Sequence, residues 1–257
     1  MAPRLISRTV RQQALPEEAR ARMLALMQLC YEGVDPDRFR RDLAQKDHVI
    51  LLLDRVTGEL VGFSTILVRQ ERVGDDVADV LFSGDTVLHP DYWGQKVLDG
   101  AFARYLFARK LRHPTRSLRW LLLSGGYKTY LIIINYFPLT SPRRDREPTA
   151  REVAFRGEVC RRWFGEQFDA LRGVLRFGAH YRVRSGIAPI DREAARHPDI
   201  AFFAARNPGH VDGEELVCVG EVRLTDLLCA AVRIGGKRVR RLLSSGAREP
   251  VAGAEKA

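Results

Sequence analysis

The sequence predicts a mixed α/β fold of the α+β kind, a mixed central sheet flanked by helices with a C-terminal α+β extension. Two helical segments precede a set of three apolar, strand-like runs, and a fourth run comes only after a long helical stretch. The chain has 257 residues, 46% of them hydrophobic and 29% charged, enough to bury a sizeable core in one extended domain or a domain with an appendage. That composition excludes a disordered tail, a collagen-like repeat and a coiled coil. Its longest apolar stretches, such as Leu131 to Ile134, fall well short of the roughly 20 residues that cross a bilayer, and Met1 to Val10 lacks the apolar region of a signal peptide. The expectation is a cytoplasmic protein without a membrane span.

Leu5 to Val10 has weak strand character. Pro16, Glu17 and Glu18 then open a helix to about Tyr31, since proline and acids suit a first turn. Gly33 breaks that helix, and Asp35, Pro36 and Asp37 start a second one reaching about Gln45. His48 to Asp54 and Leu60 to Val68 are apolar runs around Thr57 and Gly58, which reads as a hairpin, and Asp79 to Leu88 is a third strand. Helical spacing runs from Gln95 to Arg112 and stops at His113 and Pro114. Leu118 to Leu123 is a buried strand, Ser124 to Gly126 a turn, and Tyr127 to Phe137 a short helix or irregular segment.

The proline- and arginine-rich stretch 138–148 reads as a connector, which divides the chain into a core of residues 1–137 and an extension of residues 149–257. Within the extension, Thr149 to Phe168 is helical and Val174 to Arg184 extended. Asp199 to Arg206, a turn at Asn207 to His210, a strand at Glu215 to Glu221 and a basic helix from Leu224 to Leu243 follow.

Lysine and arginine number 42 against 32 acids, a formal +10. Arginine forks match phosphates and carboxylates, so nucleic acid, a phosphate-bearing donor or an acidic carrier protein are candidate partners. Arg143 with Arg144, Arg161 with Arg162, and the run Lys237, Arg238, Arg240, Arg241 are the candidate docking clusters. Cys30, Cys160, Cys218 and Cys229 are scattered and fit reduced thiols. The six histidines lack metal-ligand spacing, so no metal site is expected. No G-x-S-x-G elbow is present around Ser124, which argues against a serine hydrolase.

The most specific feature is Thr86-Val87-Leu88-His89-Pro90-Asp91-Tyr92-Trp93-Gly94-Gln95-Lys96-Val97-Leu98, between a strand and a long helix. It resembles the V-x-P-x-Y-R-G-Q-G-I-G segment of the GNAT superfamily of N-acyltransferases through Leu88, Pro90, Tyr92, Gly94, Gln95 and Val97. The resemblance covers roughly Leu5 to Phe137 and implies a GNAT-like fold. It also implies a coenzyme A diphosphate held by helix N-terminal amides, an anion site that needs no side-chain charge. Val87, Leu88, Trp93, Gly94, Gln95, Lys96 and Val97 are the donor-binding candidates. Trp93, Lys96 and Leu98 depart from the pattern, which suggests a donor lacking the diphosphate, with Lys96 as a compensating charge.

Transfer to an amine needs a held carbonyl, a base and an acid for the leaving group. The resemblance places the carbonyl contact near Val87 and Leu88. Asp85 is the candidate base and His89 a second; Tyr130 and Tyr136 are the candidate acids. Tyr127 and His210, the latter beside Asp212, Glu214 and Glu215, are the candidate substrate contacts. The expected function is N-acyl transfer from acyl-CoA or an acyl-phosphopantetheine carrier protein to a small-molecule amine, with no tightly bound cofactor. The residues after Pro138 would supply the acceptor side and a homodimer contact. The rival readings are an amide-forming transferase using aminoacyl-tRNA and a non-catalytic RNA-binding module on the same scaffold.

Overall fold

The computed structural model describes residues 4–176, 182–183, 190–229 and 232. Strand β1 (Leu5–Arg11) leads into α1 (Glu17–Cys30), the short β2 (Tyr31–Glu32) and α2 (Pro36–Ala44). The Asp35 carboxylate accepts the Asp37 amide ahead of α2, with Pro36 in its first turn, as the sequence predicts. Strands β3 (His48–Asp54), β4 (Leu60–Val73) and β5 (Asp76–Leu88) form an antiparallel set with β1. Both strands of the β4–β5 hairpin extend further toward the turn than the apolar runs suggest. Arg69 to Arg72 are polar yet still pair, Gln70 opposite Asp79 and Val73 opposite Asp76. Helix α3 (Val97–Arg112) then crosses over so that β6 (Ser117–Ser124) runs parallel to β5.

Helix α4 (Tyr127–Tyr136) and the two-residue β7 (Thr140–Ser141) precede α5 (Ala150–Phe164). Thr149 and Glu152 close a reciprocal capping box at the start of α5. This helix stops four residues before the expected end, at Gly165, whose φ is +57°. Phe168 instead opens β8 (Phe168–Asp169), which pairs with β9 (Val174–Arg176). The expected strand from Val174 to Arg184 continues outside the described residues except for β10 (Arg182–Val183), which pairs with β2. Helix α6 (Pro198–Arg206) and β11 (Glu214–Glu221) complete the described elements, and a helix covers 224–229. The rest of the expected basic helix, including Lys237 to Arg241, lies outside the described residues apart from Val232.

The sheet order is β1-β3-β4-β5-β6-β11-β9-β8, with β7 on β11. The residues after Pro138 therefore do not stand apart: β11 pairs with β6 along Leu216 to Glu221 and continues the same sheet. Side chains alternate between two layers. Ile50, Leu52, Ile66 and Leu81 pack with Phe102 and Leu106 of α3, Tyr130 and Ile133 of α4 and Phe203 of α6. Val49, Phe63 and Val87 pack with Met23, Leu26 and Met27 of α1 and Phe39 of α2 on the opposite face. Farther along that second face, Val80, Phe82, Leu121 and Val217 pack against Phe155 and Val159 of α5. Each fully buried Leu, Phe or Met contributes about 1.5–3 kcal/mol by leaving water.

The arginines of the candidate docking clusters within the described residues form ion pairs with neighbouring carboxylates. Arg143 pairs with Asp145 and donates to the Ile134 carbonyl. Arg144 pairs with Asp199, Arg161 with Glu158, and Arg162 with Glu71. Among the described residues no helix is long and apolar enough to cross a membrane.

Backbone contact between β4 and β5 is tightest at Gly62. A Cβ there would lie 2.7 Å from the Val87 carbonyl oxygen and 2.8 Å from the Leu88 side chain. Gly62→Ala is expected to lower stability by about 1–3 kcal/mol through overpacking, read as a lower denaturant midpoint at unchanged slope.

Candidate active site

Parallel pairing between β5 and β6 runs from Ala78 opposite Ser117 to Ser83 opposite Leu122 and ends there. Strand β5 continues for five more residues, to Leu88, so the two strands part. The break coincides with an irregularity on the other side of β5. Ser64 faces Thr86 and Ile66 faces Ser83, which leaves Gly84 and Asp85 together opposite Thr65. This bulge turns the strand away from β6 and re-aims Asp85.

The opening leads into a cavity of about 1500 Å3 that crosses the sheet. On one side it is lined by Trp93, Leu98, Phe102, Ile132 and Tyr136; on the other by Tyr31, Arg38, Asp42, Lys46, Asp85 and Glu215. Its size exceeds the roughly 300–1,000 Å3 of a common small-molecule pocket. The His89 amide donates to the Val61 carbonyl, so by the alternation of an antiparallel ladder the Val87 amide faces β4 and the Leu88 amide and carbonyl face the gap. The Trp93 indole occupies that side, with its Nε1 donating to the Leu88 carbonyl at 2.9 Å.

Four segments distant in sequence meet at the polar side. Lys46, almost fully buried, donates through Nζ to Asp42 Oδ1 at 2.9 Å. Burial, then the neighbouring Asp42 carboxylate, pushes the Asp85 carboxyl up to about 6 against the opposing pull of Lys46. Glu215 enters from β11, its Oε1 3.3 Å from the Cβ position of Gly125 just past β6. Burial, and then Asp85, pushes Glu215 up to about 7. Both carboxylates share the face of α1, α2 and α5, since Val87 and Val217 two residues away pack there. The Tyr31 hydroxyl is held above its ordinary range by burial, Glu215 and Asp85. Two weakened carboxylic acids that titrate near neutrality, beside a parted strand pair, can accept a proton from a bound amine.

The fates of the sequence-predicted residues differ. Asp85, Val87, Leu88, Trp93, Tyr127, Tyr136 and His210 all border the cavity. His210 is held by the Asn207 carbonyl at 2.9 Å, with its ring edge-on to Phe203. Of the carboxylates beside His210, Glu214 is consumed by Arg172 and Arg176, and Glu215 is the one that reaches the cavity.

Tyr130 is a core residue instead. It is fully buried between Phe202 and Phe203, its hydroxyl donates to the Pro142 carbonyl, and it does not line the cavity. His89 is a turn cap, its Nδ1 accepting the Asp91 amide at 3.4 Å. Gly94, Gln95, Lys96 and Val97 also stand outside the cavity lining. Gly94 makes the turn at φ +80°, Lys96 is the exposed residue ahead of α3, and Val97 packs in the core. Gln95 Oε1 accepts the Leu5 amide at 3.1 Å, which ties the loop to β1. Tyr92 donates to Asp54 at 2.6 Å and stacks under Arg4, so the residue shared with the family segment is structural here. Among the described residues no group of three His, Cys, Asp or Glu side chains is placed to hold a metal ion.

No protein-family model matches the chain, and no curated protein matches it. Solved structures with a similar arrangement include a GNAT family N-acetyltransferase from Escherichia coli in complex with CoA, 13% identical over 51% of this chain and 69% of that one, TM-score 0.38. A probable N-acyltransferase from Enterococcus faecalis is 14% identical over 49% of this chain, TM-score 0.38. A GCN5-related N-acetyltransferase from Kribbella flavida is 16% identical over 51%, TM-score 0.38. This chain spans 31% of the Enterococcus protein and 33% of the Kribbella protein.

A carboxyl group raised on folding binds protons in the native state that the unfolded state has released. Stability therefore falls as pH rises from the unfolded carboxylate range through about 6 and 7 for Asp85 and Glu215. Glu215→Gln is expected to raise the Tm relative to the parent more at pH 8 than at pH 5, measured by thermal denaturation at both values.

Proposed function

We propose that the protein is an N-acyltransferase that moves an acyl group from a pantetheine thioester to the amine of a small molecule. The observation that carries this reading is the parting of β5 from β6 beyond Ser83 and Leu122, with a gap-facing amide at Leu88 on one side and the Asp85 and Glu215 carboxylates on the other. The sequence likeness of the Leu88 to Val97 segment to the GNAT superfamily supports the same reading.

In this reading the donor arm enters along α3 and α4, between Leu98, Phe102 and Tyr136, and places its thioester carbonyl at the Leu88 amide. A hydrogen bond there stabilises the charge that develops on the carbonyl oxygen. The acceptor enters from the face of α1, α2 and α5. Its ammonium loses one proton to the Asp85 and Glu215 pair, the free amine attacks the carbonyl carbon and the C–N bond forms; the second proton then leaves the nitrogen for solvent as the C–S bond breaks. Tyr136 gives its hydroxyl proton to the leaving thiolate and regains one from solvent. Lys46 holds the Asp42 carboxylate beside Asp85 through its Nζ hydrogen bond, a positioning role. Phe82, Trp163 and Phe164, which meet edge to face at ring-centroid distances of 5.7 to 6.4 Å, give the acceptor side an apolar wall. The acceptor is thus an amine with an apolar portion, and the residues after Pro138 form part of its site.

The test is acyl transfer from acyl-pantetheine or acyl-CoA to a panel of primary alkyl and aralkyl amines, followed by thiol release. Asp85→Asn is expected to lower kcat/KM about 100-fold or more, as loss of a general base does. The acidic limb of the parent profile, with kcat/KM climbing as the carboxylates ionise between about pH 6 and pH 7, should flatten in that variant. Tyr136→Phe is expected to lower kcat with little change in KM. Full activity in Asp85→Asn would remove the pair from the chemistry.

A further inference from the structure

We propose that Asp99 is a donor-selectivity residue, setting the cavity against a diphosphate and in favour of a pantetheine arm that is neutral where it passes the start of α3. This rests on the acyl-transfer reading above and specifies its donor.

Phosphates settle at helix N-termini because the first-turn amides point outward and the dipole is positive there. Helix α3 is 16 residues long and its first turns border the cavity through Leu98, Asp99 and Phe102. Asp99 is its third residue and stands half-buried in the cavity wall. The chain thus supplies its own anion where an incoming phosphate would lie. Burial raises the Asp99 carboxyl, with Lys96 pulling the other way, so this is a partly desolvated charge and not a freely hydrated one. A diphosphate brought alongside would add like charge in a half-buried setting, where screening is weak.

Three neighbours act in the same direction. Leu98 turns its side chain to the cavity. The Gln95 amide oxygen is engaged by Leu5. Trp93 folds back on the Leu88 carbonyl and fills the approach to the loop with an indole. Lys96, the cation nearest the turn, is exposed and outside the cavity lining. A pantetheine arm carries only neutral amides and a short apolar stem, which suit Leu98, Phe102 and Ile132 and bring no charge toward Asp99.

The test compares dissociation constants of coenzyme A and pantetheine, measured by calorimetry on the full chain, in the parent, Asp99→Asn and Asp99→Ser. Both substitutions remove the charge and keep a short polar side chain. The expected result is that the parent binds pantetheine at least as tightly as coenzyme A, and that each variant shifts the ratio about tenfold toward coenzyme A, with the shift shrinking at high salt. A parent that prefers coenzyme A tenfold or more, or variants that leave the ratio unchanged, would overturn the role of Asp99 while leaving acyl transfer standing. Binding of neither compound to the parent would overturn the acyl-transfer reading, and this inference with it.

Discussion

Backbone pairing between β5 and β6 stops at Ser83 and Leu122, and the remaining geometry follows from that stop. A parallel pair carried on to the strand ends would have closed the sheet over the cavity. The two-residue bulge at Gly84 and Asp85 bends β5 away, keeps its pairing with β4 intact and leaves the Leu88 amide without a strand neighbour. The same bend brings Asp85 toward α2, where Asp42 and Lys46 wait. One local irregularity thereby creates the opening, an amide facing it and a carboxylate with a raised pKa.

Charge is distributed according to two different needs. Along the outer surfaces, arginines close the fold: Arg119 and Arg151 converge on the buried Asp76, and Arg109 and Arg116 on Asp79. Such buried carboxylates are tolerable only when paired, and arginine supplies the donors. At the surface, Arg143 pairs with Asp145 and Arg161 with Glu158. Inside the cavity the logic inverts. Asp85 and Glu215 share a buried space, so desolvation and the nearby carboxylates raise both carboxyl groups toward neutrality.

Polar positions around the β5 end divide along the same line. The segment from Leu88 to Val97 carries a family-like pattern, yet most of its polar atoms serve the scaffold: Tyr92 on Asp54, Gln95 on Leu5, Trp93 on the Leu88 carbonyl. Cavity-lining polar groups lie before and after it in the chain, Asp85 in the bulge and Tyr136 and Glu215 in later elements.

The sequence alone determined the order of the elements through α4, the position of the bulged strand and the starts of α2 and α5. These depend on period-two and period-3.6 patterning and on capping chemistry, which act over a few residues. The long polar end of the β4–β5 hairpin stayed hidden because its pairing is backbone pairing, indifferent to the hydropathy of Arg69 to Arg72. Tyr130 and Tyr136 look alike in sequence, and helix phase against the sheet put one into the core and the other at the cavity. Glu215 was visible as a carboxylate beside His210, but its approach to Asp85 depends on β11 lying beside β6, a pairing across about ninety residues that no local pattern encodes. What only the tertiary structure decided is which charges share a desolvated space, because a pKa is set by neighbours in space and not by neighbours in the chain.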